Sequence, residues 1–153
     1  MDSNFWNIRT DEQLEQWANF RNTLSGLPLE EAVNKLSMLW GTAPIVNYNL
    51  DPANSTNWPN PWELLAENYW CDVAKALGIM YTLYFTGHKD VEIELRSYFN
   101  LEEKVRYNVV WVDNGKYIIN YYPYEIVNTA YIEEKELKLL NRYTPADLGL
   151  DKY

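Results

Sequence analysis

The chain has 153 residues, of which 22 are acidic and 13 basic, for a formal net charge of −9. This length suits one domain that buries enough surface to fold without disulfides or metal. A single cysteine excludes an internal disulfide and a multi-cysteine zinc site, and a single histidine leaves one candidate imidazole base. The acidic balance argues against binding to nucleic acid. The sequence therefore predicts no metal and no cofactor, and its 16% aromatic content favours protein contact surfaces over catalysis.

Neither a targeting segment nor a membrane span is predicted. Residues 1–25 lack the apolar run of a signal peptide, and they include several acids. Nowhere do about 18 consecutive apolar residues occur, which is the length a spanning helix needs. We therefore expect a protein that is made and kept in a cytoplasm, with no membrane partner.

Helices are predicted in the first half of the chain, over 11–24, 28–41 and 61–85. The third is the best specified, because Asn60 suits the N-cap, Pro61 the first turn, and Glu63 lies three residues after the cap. A break near 68–70 would place Cys71 at the start of a new helix. Ala74 and Gly78 would then make the face beyond Cys71 small enough for another backbone to approach.

The second half changes to the period-two pattern of strands. Val91, Ile93 and Leu95 alternate with charged residues, and strands over 105–113 and 116–122 flank Asn114-Gly115, a strong type I′ hairpin pattern. That turn places Trp111 opposite Ile118 and Asn108 opposite Tyr121.

The order of helices followed by strands predicts one α+β domain over 1–153. Its N-terminal helices pack on a small antiparallel sheet of about three or more strands. A short helix over 132–140 and a C-terminal arm over 141–153 follow, and 42–60 forms a long loop.

Cys71 is the candidate nucleophile. A cysteine at a helix start, followed by a strand hairpin, is the layout of cysteine enzymes in which strands supply histidine and aspartate. The segment 106–117 resembles the strand–turn–strand of the transglutaminase-like fold. That resemblance places the family's histidine on Asn108 and its aspartate near Asn120, where an amide cannot take a proton from a thiol. His88 lies about 20 Å away at the far end of the helix, so Cys71 is interpreted as a buried apolar residue and His88 as a solvent-facing turn residue.

The carboxylates are interpreted as surface. Glu92 and Glu94 lie on one strand face, and a second group lies on the predicted C-terminal helix (Glu133, Glu134 and Glu136). Each group has nearby lysine or arginine and no pattern of a pocket, which favours solvated faces over a paired acid–base site. Asp51 and Asp72 form a conceivable metal pair without further support.

A second resemblance covers most of the chain. It rests on four segments: Glu12-Gln13-Leu14-Glu15-Gln16-Trp17-Ala18, Trp58-Pro59-Asn60-Pro61-Trp62-Glu63-Leu64-Leu65, Glu67-Asn68-Tyr69-Trp70-Cys71 and Leu77-Gly78-Ile79-Met80-Tyr81-Thr82-Leu83. Together they are similar to small structural and assembly proteins of contractile-tailed bacteriophages. The resemblance implies a virion protein that is found first in the host cytoplasm and then in the particle.

The sequence thus favours a non-catalytic phage structural or assembly protein, forming part of a tail or neck. Its partners would be other virion proteins or further copies of itself. The predicted contact residues are aromatic: Trp58, Trp62, Tyr122, Tyr124, Tyr143 and Tyr153. Two alternatives stay open. One is a cysteine hydrolase or transferase of transglutaminase-like type that uses Cys71, and the other is a host-takeover protein that binds a host enzyme.

Overall fold

The computed structural model describes residues 3–44, 50–67, 71–88 and 90–153. Helices come first: α1 (Thr10–Ser25), α2 (Leu29–Gly41), α3 (Pro61–Glu67) and α4 (Asp72–Tyr84). The predicted helix over 61–85 is thus two helices, and its predicted break at 68–70 lies outside the described residues. Within the described part of the chain, no helix is long and apolar enough to cross a membrane.

An antiparallel sheet of five strands follows, with α5 (Thr129–Glu133) between its last two strands. The strands are β1 (Ile93–Asn100), β2 (Val105–Val112), β3 (Tyr117–Tyr122), β4 (Glu125–Val127) and β5 (Leu137–Tyr143). Their order across the sheet is β4-β3-β2-β1-β5. The predicted α+β class and the minimum of three strands are confirmed.

The predicted β2–β3 hairpin forms with the expected register near its turn. Asn114 and Gly115 both have positive φ, 55° and 85°, as a type I′ turn requires. Trp111 pairs with Ile118, as predicted from the two-residue loop. The described pairing ends at Val110 and Ile119, so the expected pair of Asn108 with Tyr121 does not form.

The C-terminal prediction is wrong in its secondary structure. The helix ends at Glu133, and residues 137–140 of the segment expected to be helical belong to β5, which pairs antiparallel with β1. Strand β5 includes residues 141–143 of the predicted arm, and a 3₁₀ turn, Leu150–Lys152, lies near the C-terminus. Pairing with an open edge of the sheet satisfies the backbone groups of β5, a tertiary effect that local charge pattern does not reveal. The single-domain extent of 1–153 remains a prediction.

Helix α4 is the centre of the core. Buried residues occur all around it, which is typical of a helix enclosed on every side. It packs between α2 and one face of the sheet, and α5 covers part of the opposite face. The predicted close approach at Gly78 is real, but the neighbour is the indole ring of Trp40 on α2 and not a backbone.

Glu94 is not a solvated surface residue as the sequence suggested. Its side chain is 2% exposed, and its two oxygens bind the guanidinium groups of Arg96 at 2.7 Å and Arg142 at 2.6 Å. The Arg96 group also lies 3.9 Å from the ring centre of Trp111. Two arginines from neighbouring strands thus neutralise a carboxylate that would otherwise be costly to bury.

Candidate active site

Cys71 forms the N-cap of α4, as the predicted break implies. Its backbone is extended, and its Sγ accepts hydrogen bonds from the backbone N–H groups of Ala74 and Leu50, both at 3.4 Å. The side chain is 2% exposed, as predicted for a buried cysteine. A capping sulfur satisfies an otherwise unpaired N–H of the first helical turn. The same arrangement points the positive ends of two N–H dipoles at the sulfur.

Asp72, the next residue, joins α4 to the sheet. Its Oδ2 accepts hydrogen bonds from the backbone N–H of Asn108 at 3.1 Å and from Asn108 Nδ2 at 2.9 Å. Its Oδ1 accepts a third from Asn120 Nδ2 at 3.2 Å. The two positions that the transglutaminase-like resemblance assigns to histidine and aspartate therefore meet at the residue beside Cys71.

The amide of Asn108 is oriented from behind by Ser97. These residues pair across β1 and β2, both are buried, and Ser97 Oγ donates to Asn108 Oδ1 at 2.6 Å. Because Oδ1 accepts this bond, Nδ2 is the atom that points to Asp72. Neither Ser97 nor the role of Asp72 followed from the sequence, since the turn over 101–104 that sets the register of β1 on β2 carries no Asn-Gly pattern and was not predicted.

Asn120 reaches the site through an unusual backbone. Its φ is 75°, in the left-handed region, and the pairing of β3 with β4 shifts between Ile119 and Tyr122. Its Nδ2 also donates to the backbone oxygen of Asn108 at 2.9 Å. A non-glycine residue in this conformation costs on the order of 1–3 kcal/mol, so surrounding contacts must hold it there. The β2–β3 pairing ends at Ile119, the residue before Asn120, and the contact of Asn120 with Asn108 is made by its side chain.

The electrostatics of the site centre on Asp72 and Lys75. Packing around the carboxyl group raises the pKa of Asp72, although the N–H donors of Asn108 and Asn120 oppose this effect. Lys75 lies one turn further along α4 and is 6% exposed. Its burial lowers the pKa of Lys75, and attraction to Asp72 opposes that shift. The site thus holds one carboxylate that is more basic than usual beside one partly desolvated cation.

His88 takes no part in this site. It follows α4 at the end opposite Cys71, and its Nε2 lies 3.0 Å from the backbone oxygen of Leu24 in α1. The predicted separation from Cys71 is therefore confirmed. The ring is half-buried against α1, which corrects the expectation of a solvent-facing turn residue.

The predicted aromatic contact residues occupy three places. Trp58 packs on Tyr143 with ring centres 4.8 Å apart, and Trp62 packs on Tyr153 at 4.9 Å. These four residues come from the loop before α3, from α3 itself, from β5 and from the tail.

Tyr122 lies instead beside Tyr131, with their hydroxyl oxygens 2.9 Å apart. Tyr124, the remaining predicted contact residue, is 49% exposed and packs on Gly41. Their role in binding another protein remains a prediction.

A cysteine at the start of a central helix that packs on an antiparallel sheet, with a strand hairpin later in the chain, is the arrangement expected from the transglutaminase-like resemblance of the segment 106–117. No protein-family model matches the chain, and no curated protein sequence matches it.

Solved structures of LapG from Legionella pneumophila do match. The calcium-bound form superposes with a TM-score of 0.69 at 13% identity, covering 90% of this chain and 77% of LapG. The EGTA-treated form gives 0.67 at 16% identity, covering 89% and 74%. LapG is a transglutaminase-like cysteine protease. At this identity the likeness establishes the fold of the chain.

These neighbours overturn the main sequence interpretation. They are bacterial and periplasmic proteases, so the expectations of a phage virion protein, of a tail or neck component and of a path from host cytoplasm to virion are wrong. The expectation of a non-enzyme is also contradicted, because the neighbours are cysteine proteases. The phage resemblance rested on short helical segments rich in Trp, Leu and Glu, which describe amphipathic packing more than ancestry.

A calcium site is not carried over from the calcium-bound neighbour. Among the residues that the structure describes, no three or more His, Cys, Asp or Glu side chains converge where they could hold a metal ion. Asp72 is engaged by Asn108 and Asn120, and Asp51 Oδ1 accepts from the backbone N–H of Ala53 at 2.9 Å. The Asp51–Asp72 pair considered from the sequence therefore does not fit Ca²⁺, which takes six to eight oxygen ligands.

Proposed function

We propose that the protein is a cysteine-dependent hydrolase or acyl transferase of transglutaminase-like type, with Cys71 as the nucleophile. The observation that carries the proposal is the convergence of Asn108 and Asn120 on Asp72, the residue next to Cys71. Strand residues meet the helix start at the place where enzymes of this fold assemble their reacting groups. The likeness to LapG supports the same reading.

Asp72 is the proposed proton acceptor. Amide groups cannot accept a proton from a thiol, and His88 lies at the other end of α4, so neither asparagine nor the histidine serves. The raised pKa of Asp72 makes its carboxylate a better base than an ordinary aspartate. Asn108 and Asn120 act as positioning residues, since their N–H groups hold the carboxylate at the start of α4.

The reaction then proceeds by acyl transfer. The Cys71 proton moves to Asp72 while Sγ forms a bond to the substrate carbonyl carbon, whose π electron pair moves to oxygen. Collapse of this intermediate re-forms the carbonyl and breaks the carbon–nitrogen bond, and the departing amine takes the proton from Asp72. Water, or a second amine, attacks the thioester and restores the thiol.

Acylation by p-nitrophenyl acetate tests this proposal, because Cys71 is the one cysteine and any thioester is assigned to it. We expect intact-protein mass spectrometry to show one acetyl group on the native protein, and none on Cys71→Ser. Iodoacetamide should likewise alkylate the native protein near neutral pH. Labelling that requires global unfolding would show that the buried thiol is inert and would refute the proposal.

Paired variants test the proton acceptor. Asp72→Asn should slow acylation and move its pH–rate curve to higher pH, because hydroxide or water must then take the proton. Asn108→His should speed acylation, because it places an imidazole base at the strand position that faces the start of α4. Asp151→Asn, a matched change in the tail, should leave the rate unchanged. Equal rates for Asp72→Asn and the unmodified protein would exclude Asp72 as the base.

A further inference from the structure

A cavity of about 420 Å³, which we call the tail pocket, lies away from Cys71. It lies between the loop before α3, the middle of α4 and the C-terminal tail, and Trp58, Tyr81 and Tyr153 are among the residues that line it. Its volume is in the range of ligand pockets. Tyr81 is ten residues beyond Cys71 on α4, which is about 15 Å along the helix.

Two carboxylates line the tail pocket. Glu63 Oε1 accepts from the backbone N–H of Asn60 at 3.0 Å, and Asp147 Oδ2 accepts from that of Thr144 at 2.9 Å. Each bond uses one oxygen and leaves the other able to accept from a ligand. The Thr144 donors hold the pKa of Asp147 below its usual range, so this carboxylate is charged at neutral pH.

The chain's own tail already places a cation in this pocket. Lys152 lines it, and the Lys152 Nζ lies 5.2 Å from the ring centre of Tyr153, within the range of a cation–π contact. Lys152 forms no ion pair with any carboxylate that the structure describes. The Tyr153 ring that accepts this ammonium group can accept the cation of a ligand in its place.

We propose that the tail pocket binds a basic side chain, arginine or lysine, of a polypeptide substrate. The cation would lie against Tyr153 and Trp58, with Glu63 and Asp147 neutralising its charge, and it would displace Lys152. The net charge of −9 favours approach of such a ligand. The identification of this ligand as a substrate rests on the proposed function. The distance of about 15 Å along α4 corresponds to four or five extended residues between the basic side chain in the pocket and the carbonyl that reacts at Cys71.

Binding is measured with Cys71→Ser protein, so that the result does not depend on catalysis. The probes are three capped alanine pentapeptides that carry arginine, citrulline or glutamate at the centre. Their binding is measured by tryptophan fluorescence and by calorimetry. Citrulline keeps the shape of arginine without its charge. We expect the arginine peptide to bind roughly tenfold more tightly than the citrulline peptide.

Variants distinguish binding in the tail pocket from attraction of the peptide to the net charge of the protein. Lys152→Met should strengthen binding of the arginine peptide several-fold, whereas Lys138→Met, with the same change in net charge on the exposed side of β5, should not. Glu63→Gln and Asp147→Asn should each weaken it, and glutamine at 63 can preserve the bond to Asn60. Equal binding of arginine and citrulline peptides, preference for the glutamate peptide, or no binding of any peptide would each overturn the proposal. Tight arginine binding without acylation of Cys71 would refute the proposed function and leave the tail pocket standing.

Discussion

Replacing Gly78 by alanine tests the packing that positions α4 and Cys71. A Cβ at this position would overlap the six-membered ring of Trp40, which is 1% exposed and enclosed by the core. Carbon atoms in contact lie about 3.5–4 Å apart, so the ring or helix α2 must move by about 1 Å or more. Overpacking of this kind typically costs about 1–3 kcal/mol and more where neighbours cannot move.

The helix itself gains from the change, because alanine is favoured over glycine by about 1 kcal/mol in a helix interior. With the enclosed Trp40 ring unable to rotate away, we expect a net loss of about 2–3 kcal/mol in the free energy of unfolding. For a chain of 153 residues, that lowers the melting temperature by roughly 6–9 °C. Urea denaturation and thermal circular dichroism measure both quantities, and the m-value should stay unchanged.

Gly41→Ala is the matched control. There the added Cβ would meet the ring of Tyr124 at 2.7 Å, but that side chain is 49% exposed and free to turn toward solvent. We expect a change within about 1 kcal/mol. A Gly78→Ala protein as stable as the unmodified one would refute the argument that Trp40 and Gly78 form a rigid contact.

Three further outcomes are expected. Glu94→Gln should lower the free energy of unfolding by about 2–3 kcal/mol, because it leaves Arg96 without its buried charged partner. Loss of the exposed ion pairs of Arg9 should lower it by less than about 0.5 kcal/mol, and urea denaturation compares the two variants. The hydrogen bond to Tyr131 raises the pKa of Tyr122 to about 12, above its value in the unfolded chain. The contribution of this hydrogen bond to stability is therefore full below pH 10 and is lost as the pH rises toward 12. Tyr131→Phe removes the bond and should move the ionisation of Tyr122, followed by absorbance at 295 nm, to lower pH. An unchanged titration would contradict the pairing. Addition of EGTA should leave the melting temperature unchanged, since the described residues provide no metal cluster, and a shift reversed by calcium would reveal a site.

Local pattern was sufficient for several elements. Asn60 and Glu63 form the reciprocal capping bonds that their spacing predicts, at 2.8 and 3.0 Å. Asn114-Gly115 makes its turn, and Cys71 caps α4. These features depend on residues within four positions of one another, where side-chain chemistry and backbone preference act directly. The class of fold followed from their order along the chain.

The sites depended on contacts between distant segments. Asp72 and Asn108 are 36 residues apart, Glu94 and Arg142 are 48 apart, and Tyr143 donates to the backbone of Pro52 across 91 positions. No local preference sets such pairings, because they require the packing of α4 on the sheet and the register of β5 on β1, together with the bulge at Asn120. The sequence by itself therefore determined that Cys71 starts a buried helix before a hairpin. Only the tertiary structure decided that Asn108 and Asn120 meet the carboxylate of Asp72 beside Cys71, and that the tail lines a pocket.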